Sequence, residues 1–316
     1  MIKKIFIIAF SILLTNLTAQ RNDSSSLALQ HEIYYSVESG LKNPDEVLHL
    51  NLRQTNINSI DKRINKFKNL VYLNVMKNKL NELPLEIGEL TELKQLACSH
   101  NNFKEIPYGL SNLKNLNKFD AQKNNLSILS FEIKELSSIK DLNLSSNELT
   151  VLNKNFICSE SLSFLEISQN KLTNVDSSIG KLLSLKYLNL GFNKLVEFEP
   201  KVSNIKNIEY LILEHNQMNK ISPKLSKLKK LKSLVLNHNK IKEFPKELCK
   251  LKELEQLILG FNLIETLPKN ITKLTNLKTL ILNGNPISDE VFNNIKNLLP
   301  NTTVIFNVKR SDVEIE

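Results

Sequence analysis

The sequence predicts an α/β repeat solenoid, a single domain in which one short segment recurs and stacks on itself. Two observations carry this prediction: apolar residues and one asparagine return every 23 residues, and 41% of the 316 residues are hydrophobic, enough to bury a continuous core. A third observation argues against several classes of enzyme. Only 7 residues are glycine, whereas phosphate-cradling loops and nucleophile elbows need glycine where the backbone meets a ligand. Most familiar catalytic scaffolds are therefore poorly supported.

The repeat is strict. In the template segment 70–80, apolar residues stand at positions 1, 4, 6 and 11, and asparagine stands at position 9. Because a strand alternates its side chains, positions 4 and 6 are expected to face a core, and positions 3, 5 and 7 the opposite surface. A single unit cannot bury its leucines alone, so neighbouring units must stack into a parallel sheet. Eleven units fill residues 47–287 without an inserted residue, and they begin at Val47, Leu70, Leu93, Leu116, Ile139, Leu162, Leu185, Ile208, Leu231, Leu254 and Leu277.

This pattern, LxxLxLxxNxL, resembles that of the leucine-rich repeat family over roughly residues 47–308. The second half of several units is similar to the 23-residue Ras-suppressor-like class, with the apolar-proline pairs Leu83-Pro84, Phe244-Pro245 and Leu267-Pro268. The middle units depart from that pair. The resemblance implies a right-handed horseshoe with a parallel concave sheet and helical caps at both ends. It also implies a non-enzymatic protein that binds a macromolecular partner.

The position-9 residues are expected to form a structural ladder, because an asparagine can satisfy backbone groups where each chain leaves the strand. Thr55 takes this place in the first unit. Asn189, at position 5, is expected to lie on the surface, where its loss would be nearly neutral. The predicted ladder consists of Asn78, Asn101, Asn124, Asn147, Asn170, Asn193, Asn216, Asn239, Asn262 and Asn285.

The amino terminus is typical of an export signal. Lys3 and Lys4 precede an apolar run over residues 5–14, and Leu17-Thr18-Ala19 resembles a signal-peptidase site. Residues 1–19 are therefore expected to be a signal peptide. The mature chain would be exported to the periplasm, the cell surface or the medium, without stable insertion into a membrane. A cytoplasmic signalling scaffold is the alternative if this interpretation fails. The short leader, the Lys/Asn/Ile-rich composition and the lack of cysteine-rich caps look bacterial.

Both ends of a solenoid need a lid, since a terminal unit exposes an open core. Residues 20–46 are expected to form a linker and a capping helix, ended by Pro44, whose apolar face is Ile33, Tyr34, Val37 and Leu41. Residues 288–316 are expected to form a second cap and a tail. Ser288-Asp289 would begin its helix, and residues 304–306 would add a closing strand.

Few residues point to chemistry. Cys98, Cys158 and Cys249 fall in units too far apart for a disulfide bond. His215 and His238 share position 8 of adjacent units, which allows a metal site, but a third aligned ligand is missing and solvated loop histidines are favoured. The net charge is +9, but aromatic residues are not interleaved with the basic residues as on a surface that binds nucleic acid. We therefore expect no catalytic residue, metal or cofactor, and no nucleic-acid partner.

The two halves of the concave sheet differ in composition. Positions 3 and 5 are mainly polar in the early units, whereas the later units carry three aromatic residues and then β-branched ones. Such residues suit strands in general, but their clustering favours a site for a protein partner, with side chains that point outward and do not contribute to the core. A glycan- or cell-wall-binding surface that uses the aromatic residues for stacking is the alternative. The expected partner-binding residues are Phe164, Tyr187, Tyr210, Ile212, Val235, Ile258, Ile281, Phe192 and Phe261.

Overall fold

The computed structural model describes residues 32–106, 108–128, 135–152, 159–199 and 205–306. The expected signal peptide lies outside the described residues, as do Cys158 and the tail that follows Phe306.

Among the described residues, thirteen short strands form one parallel sheet in which spatial order follows chain order. Each unit contributes positions 3 to 5, and these pair with the same positions of the next unit, as in Tyr187↔Tyr210 and Tyr210↔Ser233. This register is what an unbroken 23-residue period requires. The strands are β1 (Ile33–Tyr34), β2 (His49–Asn51), β3 (Tyr72–Asn74), β4 (Gln95–Ala97), β5 (Lys118–Asp120), β6 (Asp141–Asn143), β8 (Phe164–Glu166), β10 (Tyr187–Asn189), β11 (Tyr210–Ile212), β12 (Ser233–Val235), β13 (Gln256–Ile258), β14 (Thr279–Ile281) and β15 (Thr303–Ile305); β7 (Val151–Leu152) and β9 (Asn174–Val175) pair separately.

The other side of the units carries short 3-10 helices. Several begin at a residue whose side chain accepts a hydrogen bond from the backbone N–H two residues later, as Asp61, Asp176 and Ser222 do. The helices span Pro44–Glu46, Lys62–Lys66, Leu85–Glu89, Tyr108–Asn112, Ser177–Lys181, Pro223–Lys227, Lys246–Lys250 and Lys269–Lys273.

One continuous core lies between the sheet and these helices. Positions 1, 4 and 6 are buried throughout, as Leu185, Leu188 and Leu190 illustrate. Leu248 and Leu251 close the core from the helical side, as the sequence predicts. Cys98 and Cys249 are free and buried in this core, and burial raises the pKa of both thiols. They pack as small hydrophobic residues.

The ten position-9 asparagines make one repeated set of hydrogen bonds. The Nδ2 of Asn216 donates to the carbonyl of Leu213 in its own unit (3.1 Å) and to that of Leu190 in the preceding unit (3.0 Å), while its Oδ1 accepts from the N–H of Leu195 (2.9 Å). The other nine asparagines bond in the same way. In the first unit, the Oγ1 of Thr55 donates to the carbonyl of Leu52. Each asparagine therefore joins two units.

The residue before each asparagine, at position 8, has a left-handed backbone in all eleven units. The φ angles of the ten non-glycine residues lie between 49° and 58°, and Gly284 has φ 72°. This conformation turns the chain away from the strand and points position 9 inward. Side chains with a Cβ disfavour this conformation by roughly 1–2 kcal/mol. Hydrogen bonds of the following asparagine and of the position-8 N–H itself, as from Phe192 to the carbonyl of Glu214 (2.9 Å), offset that cost.

The amino-terminal end differs from the expected capping helix. Ile33 and Tyr34 form β1, which pairs in parallel with β2, and the helix α1 spans only Val37–Gly40. The prediction of one helix through these residues was wrong because the open edge of β2 exposes backbone groups that a strand can satisfy and a helix cannot.

At the carboxyl-terminal end, a helix follows Ser288, as the sequence predicts. This helix, α2 (Asp289–Leu298), begins where the Ser288 side chain accepts a hydrogen bond from the N–H of Val291, and its Ile295 packs into the core. The strand β15 then pairs with β14.

We expect Asn193→Ala and Asn216→Ala each to destabilise the protein by about 1–3 kcal/mol, because buried carbonyls and an N–H lose their partners. Asn125→Ala is the matched control, since Asn125 is exposed at the surface of the same solenoid. Urea-induced unfolding of the three variants measures the difference. Equal midpoints for all three would contradict a structural role for the ladder.

Candidate functional site

The sheet surface that carries positions 3 and 5, called the inner face below, holds a second apolar cluster separate from the core. Tyr187, Ile212, Val235, Ile258 and Ile281 form this inner-face cluster, and Phe164, Tyr210 and Ile305 pack against it. It spans β8 to β15, the carboxyl-terminal half of the sheet. The sequence pattern therefore selects residues that the structure does bring together.

The burial of this cluster differs from the expectation. Tyr187 is only 7% exposed and Ile281 is 0% exposed, so these side chains are not open to solvent. Parallel strands lie about 4.8 Å apart, and large side chains at the same position of successive strands therefore cover one another. Phe164 and Tyr210 retain partial exposure.

A buried carboxylate lies where the polar and apolar halves of the inner face meet. Glu166 accepts hydrogen bonds from the hydroxyl of Tyr187 (3.1 Å), from the Nδ2 of Asn189 (3.0 Å) and from the N–H of Ser168 (3.1 Å). Burial nevertheless raises the pKa of Glu166, because loss of water outweighs these bonds. Asn189 is consequently a buried, bonded residue, and the expectation that it lies on the surface was wrong.

Polar residues at position 5 have a structural role that sequence reasoning missed. Asn143 and Asn189 each accept a hydrogen bond from the N–H of position 7 in their own unit, at 3.1 and 2.9 Å. Asn51, Asn74, Asp120 and Glu166 do the same. Their signal was visible as a polar side chain at the last residue of strands β2, β3, β5, β6, β8 and β10. The aliphatic residues at position 5 of units 8 to 11 offer no such acceptor.

A second aromatic feature, the aromatic ridge, runs along the edge of the sheet at position 8 of units 7 to 10. It consists of Phe192, His215, His238 and Phe261, whose ring centroids lie 4.1, 4.0 and 4.3 Å apart with interplanar angles of 12–15°. All four residues have the left-handed backbone of position 8. The sequence places these residues in one column, but it does not reveal that their rings stack.

The stack argues against the metal hypothesis for His215 and His238. Parallel rings 4.0 Å apart direct their nitrogen lone pairs side by side, whereas metal ligands must converge on one point. Within the described ranges, no group of three His, Cys, Asp or Glu side chains is arranged to hold a metal ion. Glu214, beside the ridge, instead accepts a hydrogen bond from Asn237 at 2.9 Å.

Burial in the ridge favours the neutral form of both histidines. It lowers the pKa of His215, and burial together with the neighbouring His215 lowers the pKa of His238 to about 4.

On the opposite, convex side, position 20 of four units carries lysine. These side chains are exposed, as expected for a solvated face: Lys181, Lys227, Lys250 and Lys273.

Residues 160–287 match the family model described as leucine rich repeat, in four overlapping segments, 160–218, 183–241, 206–264 and 229–287. The fold is a leucine-rich repeat solenoid. The sheet order, the register and the repeated asparagine bonds agree with this match. A search of curated proteins gave no significant match.

Several solved structures share this fold. An internalin, InlF from Listeria monocytogenes, is 22% identical, with a TM-score of 0.66, over 85% of this chain and 84% of that one. A TDR receptor is 26% identical, with a TM-score of 0.73, over 88% of this chain and 50% of that one, so this chain spans half of the receptor's length. The Arabidopsis receptor kinase HAESA, solved with the peptide hormone IDA and the co-receptor SERK1, is 24% identical, with a TM-score of 0.60, over 80% of this chain and 48% of that one.

No helix within the described part of the chain is both long enough and apolar enough to cross a membrane.

We predict that His238 stays neutral until the pH approaches about 4, well below the ordinary histidine value of 6.5. An unfolded chain takes up this proton first as the pH falls. The contribution of His238 to stability is therefore intact above about pH 6.5 and is lost as the pH falls towards 4. NMR titration of the His238 ring measures the pKa directly.

The variant His238→Gln is the control for stability, since Gln54 and Gln169 occupy position 8 in other units. Its melting temperature should fall less between pH 6.5 and pH 4 than that of the unmodified protein. Glu214 changes stability with pH in the opposite direction, because burial raises its pKa. Since Glu214 is present in both proteins, its contribution cancels when their melting temperatures are compared. A His238 ring that titrates near 6.5 would contradict the buried, stacked arrangement.

Proposed function

We propose that this chain is a non-enzymatic binding protein that recognises a protein partner through the carboxyl-terminal half of its inner face. The observation that carries the proposal is the inner-face cluster, an apolar group on the sheet surface that is separate from the core. The same positions of the early units carry polar residues that bond to their own backbone. A contiguous apolar group on one part of a repeat surface favours a partner site.

The burial of the cluster assigns different roles to its members. Ile212, Val235 and Ile281 are already covered by their neighbours, so they form a rigid floor and offer little new area to a partner. Phe164 and Tyr210 are half-buried at position 3 and supply the exposed aromatic surface. Half-buried aromatic side chains on a rigid support are the residue type that most often dominates binding energy. Because the floor is held before binding, little conformational entropy is lost on association.

The geometry favours a protein over a glycan. Sugar stacking needs open ring faces, but Phe164 and Tyr187 stack on each other with centroids 4.1 Å apart and an interplanar angle of 2°. One face of each ring is therefore occupied, and Tyr187 is buried. The stacked pair therefore offers less open ring area than a sugar platform needs, and the aliphatic residues packed beside it suit a protein surface.

The fold supports the same class of function. HAESA shares this architecture and is seen in complex with a peptide hormone and a co-receptor. At 24% identity the likeness concerns the scaffold, and the partner of this chain follows from its own inner-face residues.

We expect Tyr210→Ala to weaken partner binding by at least tenfold, because it removes an exposed aromatic side chain from the centre of the proposed site. Tyr72→Ala is the matched control, since Tyr72 is also a half-buried tyrosine at position 3, in the polar half. Immobilised full chain and the two variants would be used for affinity capture, with quantitative mass spectrometry of the bound proteins.

Proteins held by the unmodified chain and by Tyr72→Ala, but lost with Tyr210→Ala, would support the proposed site. Melting temperatures of both variants check that each is folded. Equal capture by all three folded proteins would rule out this half of the inner face.

We also propose that the chain is exported and bacterial in type, with cleavage after Ala19. The proposal rests on the order of positive, apolar and small residues at the amino terminus. N-terminal sequencing of the protein from its native cells should find a chain that begins near Gln20, outside the cytoplasm. An intact Met1 on cytoplasmic protein would instead favour the scaffold alternative.

A further inference from the structure

The aromatic ridge is closed at one end. Its last ring, Phe261, lies against the backbone of Gly284, so closely that a Cβ on Gly284 would come within 2.5 Å of the ring. Position 8 of the last unit thus carries glycine where a side chain would displace the ring. No further ring can be added on this side.

The opposite end of the ridge is open. Phe192 is 42% exposed, whereas the other three ridge residues are only partly exposed. The preceding unit carries Gln169 at position 8, and the Oε1 of Gln169 accepts a hydrogen bond from the hydroxyl of Ser146 at 2.5 Å. That bond turns the Gln169 amide towards unit 5, away from Phe192. The outer face of the Phe192 ring is left uncovered by its neighbour in the column.

The surroundings favour an uncharged, planar group on this face. Centroid separations of 4.0–4.3 Å along the ridge show that the repeat spacing accommodates face-to-face rings. Lys171, two residues after Gln169 in the sequence, is paired with Glu148 at 2.5 Å and is therefore not a free cation.

We propose that the outer face of Phe192 is a docking point for an aromatic side chain of the protein partner, which would become the fifth ring of the ridge. The inference deepens the proposed function and rests on it, because the ridge borders the inner face. It assigns recognition to the sheet edge as well as to the sheet surface. Stacking of one added ring contributes roughly a two- to tenfold gain in affinity.

The probe for this site is N-acetyltryptophanamide, added to the full chain with isotope-labelled phenylalanine and tyrosine. The chain contains no tryptophan, so the probe's fluorescence can be followed without background. We expect the ring resonances of Phe192 to shift with saturation, more than those of Tyr35, an exposed tyrosine outside the ridge. N-acetylleucinamide, which is apolar but not planar, should shift Phe192 much less.

Two variants test the geometry. Phe192→Gln should weaken probe binding, followed by the fluorescence of the probe, roughly two- to tenfold. Gln169→Phe should cover the open face with the chain's own ring and abolish the probe-induced shift of Phe192, even if the first variant folds poorly. Tyr210→Ala should leave the shift unchanged, so a failure here is separable from a failure of the inner-face proposal.

Three results would overturn the assignment. Equal shifts of Phe192 and Tyr35 would indicate non-specific contact. Equal shifts from the leucine and tryptophan probes would indicate simple apolar contact. A larger, saturable shift of Phe192 with methyl β-glucoside than with the tryptophan probe would indicate a glycan in place of an aromatic side chain.

Discussion

The hydrogen bonds of the position-9 asparagines are the interaction on which the rest of the structure depends. Each side chain bonds a carbonyl of its own unit and one of the unit before it, as Asn193 does with Leu190 and Ile167. The same side chain accepts the N–H of Leu172 in the preceding unit. An inserted residue between positions 6 and 11 of any unit would move these partners out of reach, so the bonds constrain the spacing of that part of every unit. The left-handed backbone at position 8 follows from the same constraint, because it is the turn that points the asparagine inward.

The strict register then determines what the inner face can be. Side chains at one position of successive units form a column at the spacing of parallel strands. The side chains of a column therefore contact one another or bond to their own backbone before any partner binds. In the early units, polar residues such as Asn143 bond their own backbone. In the later units, apolar residues such as Ile212 cover one another. Glu166 lies at the boundary, where it holds Tyr187 and Asn189. In the proposed function, recognition is therefore assigned to side chains that the columns do not fully cover: Phe164, Tyr210 and the outer ring of the ridge, Phe192.

The period alone was enough to predict the strands, their register, the core and the direction of the inner-face residues, because each depends on spacing. Burial on the inner face was not predictable in this way. The alternation of side chains along a strand predicts the direction in which Tyr187 and Asn189 point. Their burial depends on side chains that are 23 residues away in the sequence. The stack of His215 and His238 likewise depends on the left-handed backbone at position 8, which apolar spacing does not reveal. The edge strand at Ile33 and Tyr34 was missed because apolar spacing cannot show that a neighbouring strand needs a partner.

Hydroxyl-radical footprinting of the chain, alone and with its captured partner, measures most directly whether recognition belongs to the carboxyl-terminal half of the inner face. Phe164 and Tyr210 should lose reactivity in the complex, while Tyr72, equally placed in the polar half, should keep its reactivity. Protection of Tyr72, with Phe164 and Tyr210 unchanged, would contradict the assignment of the partner to this half of the sheet.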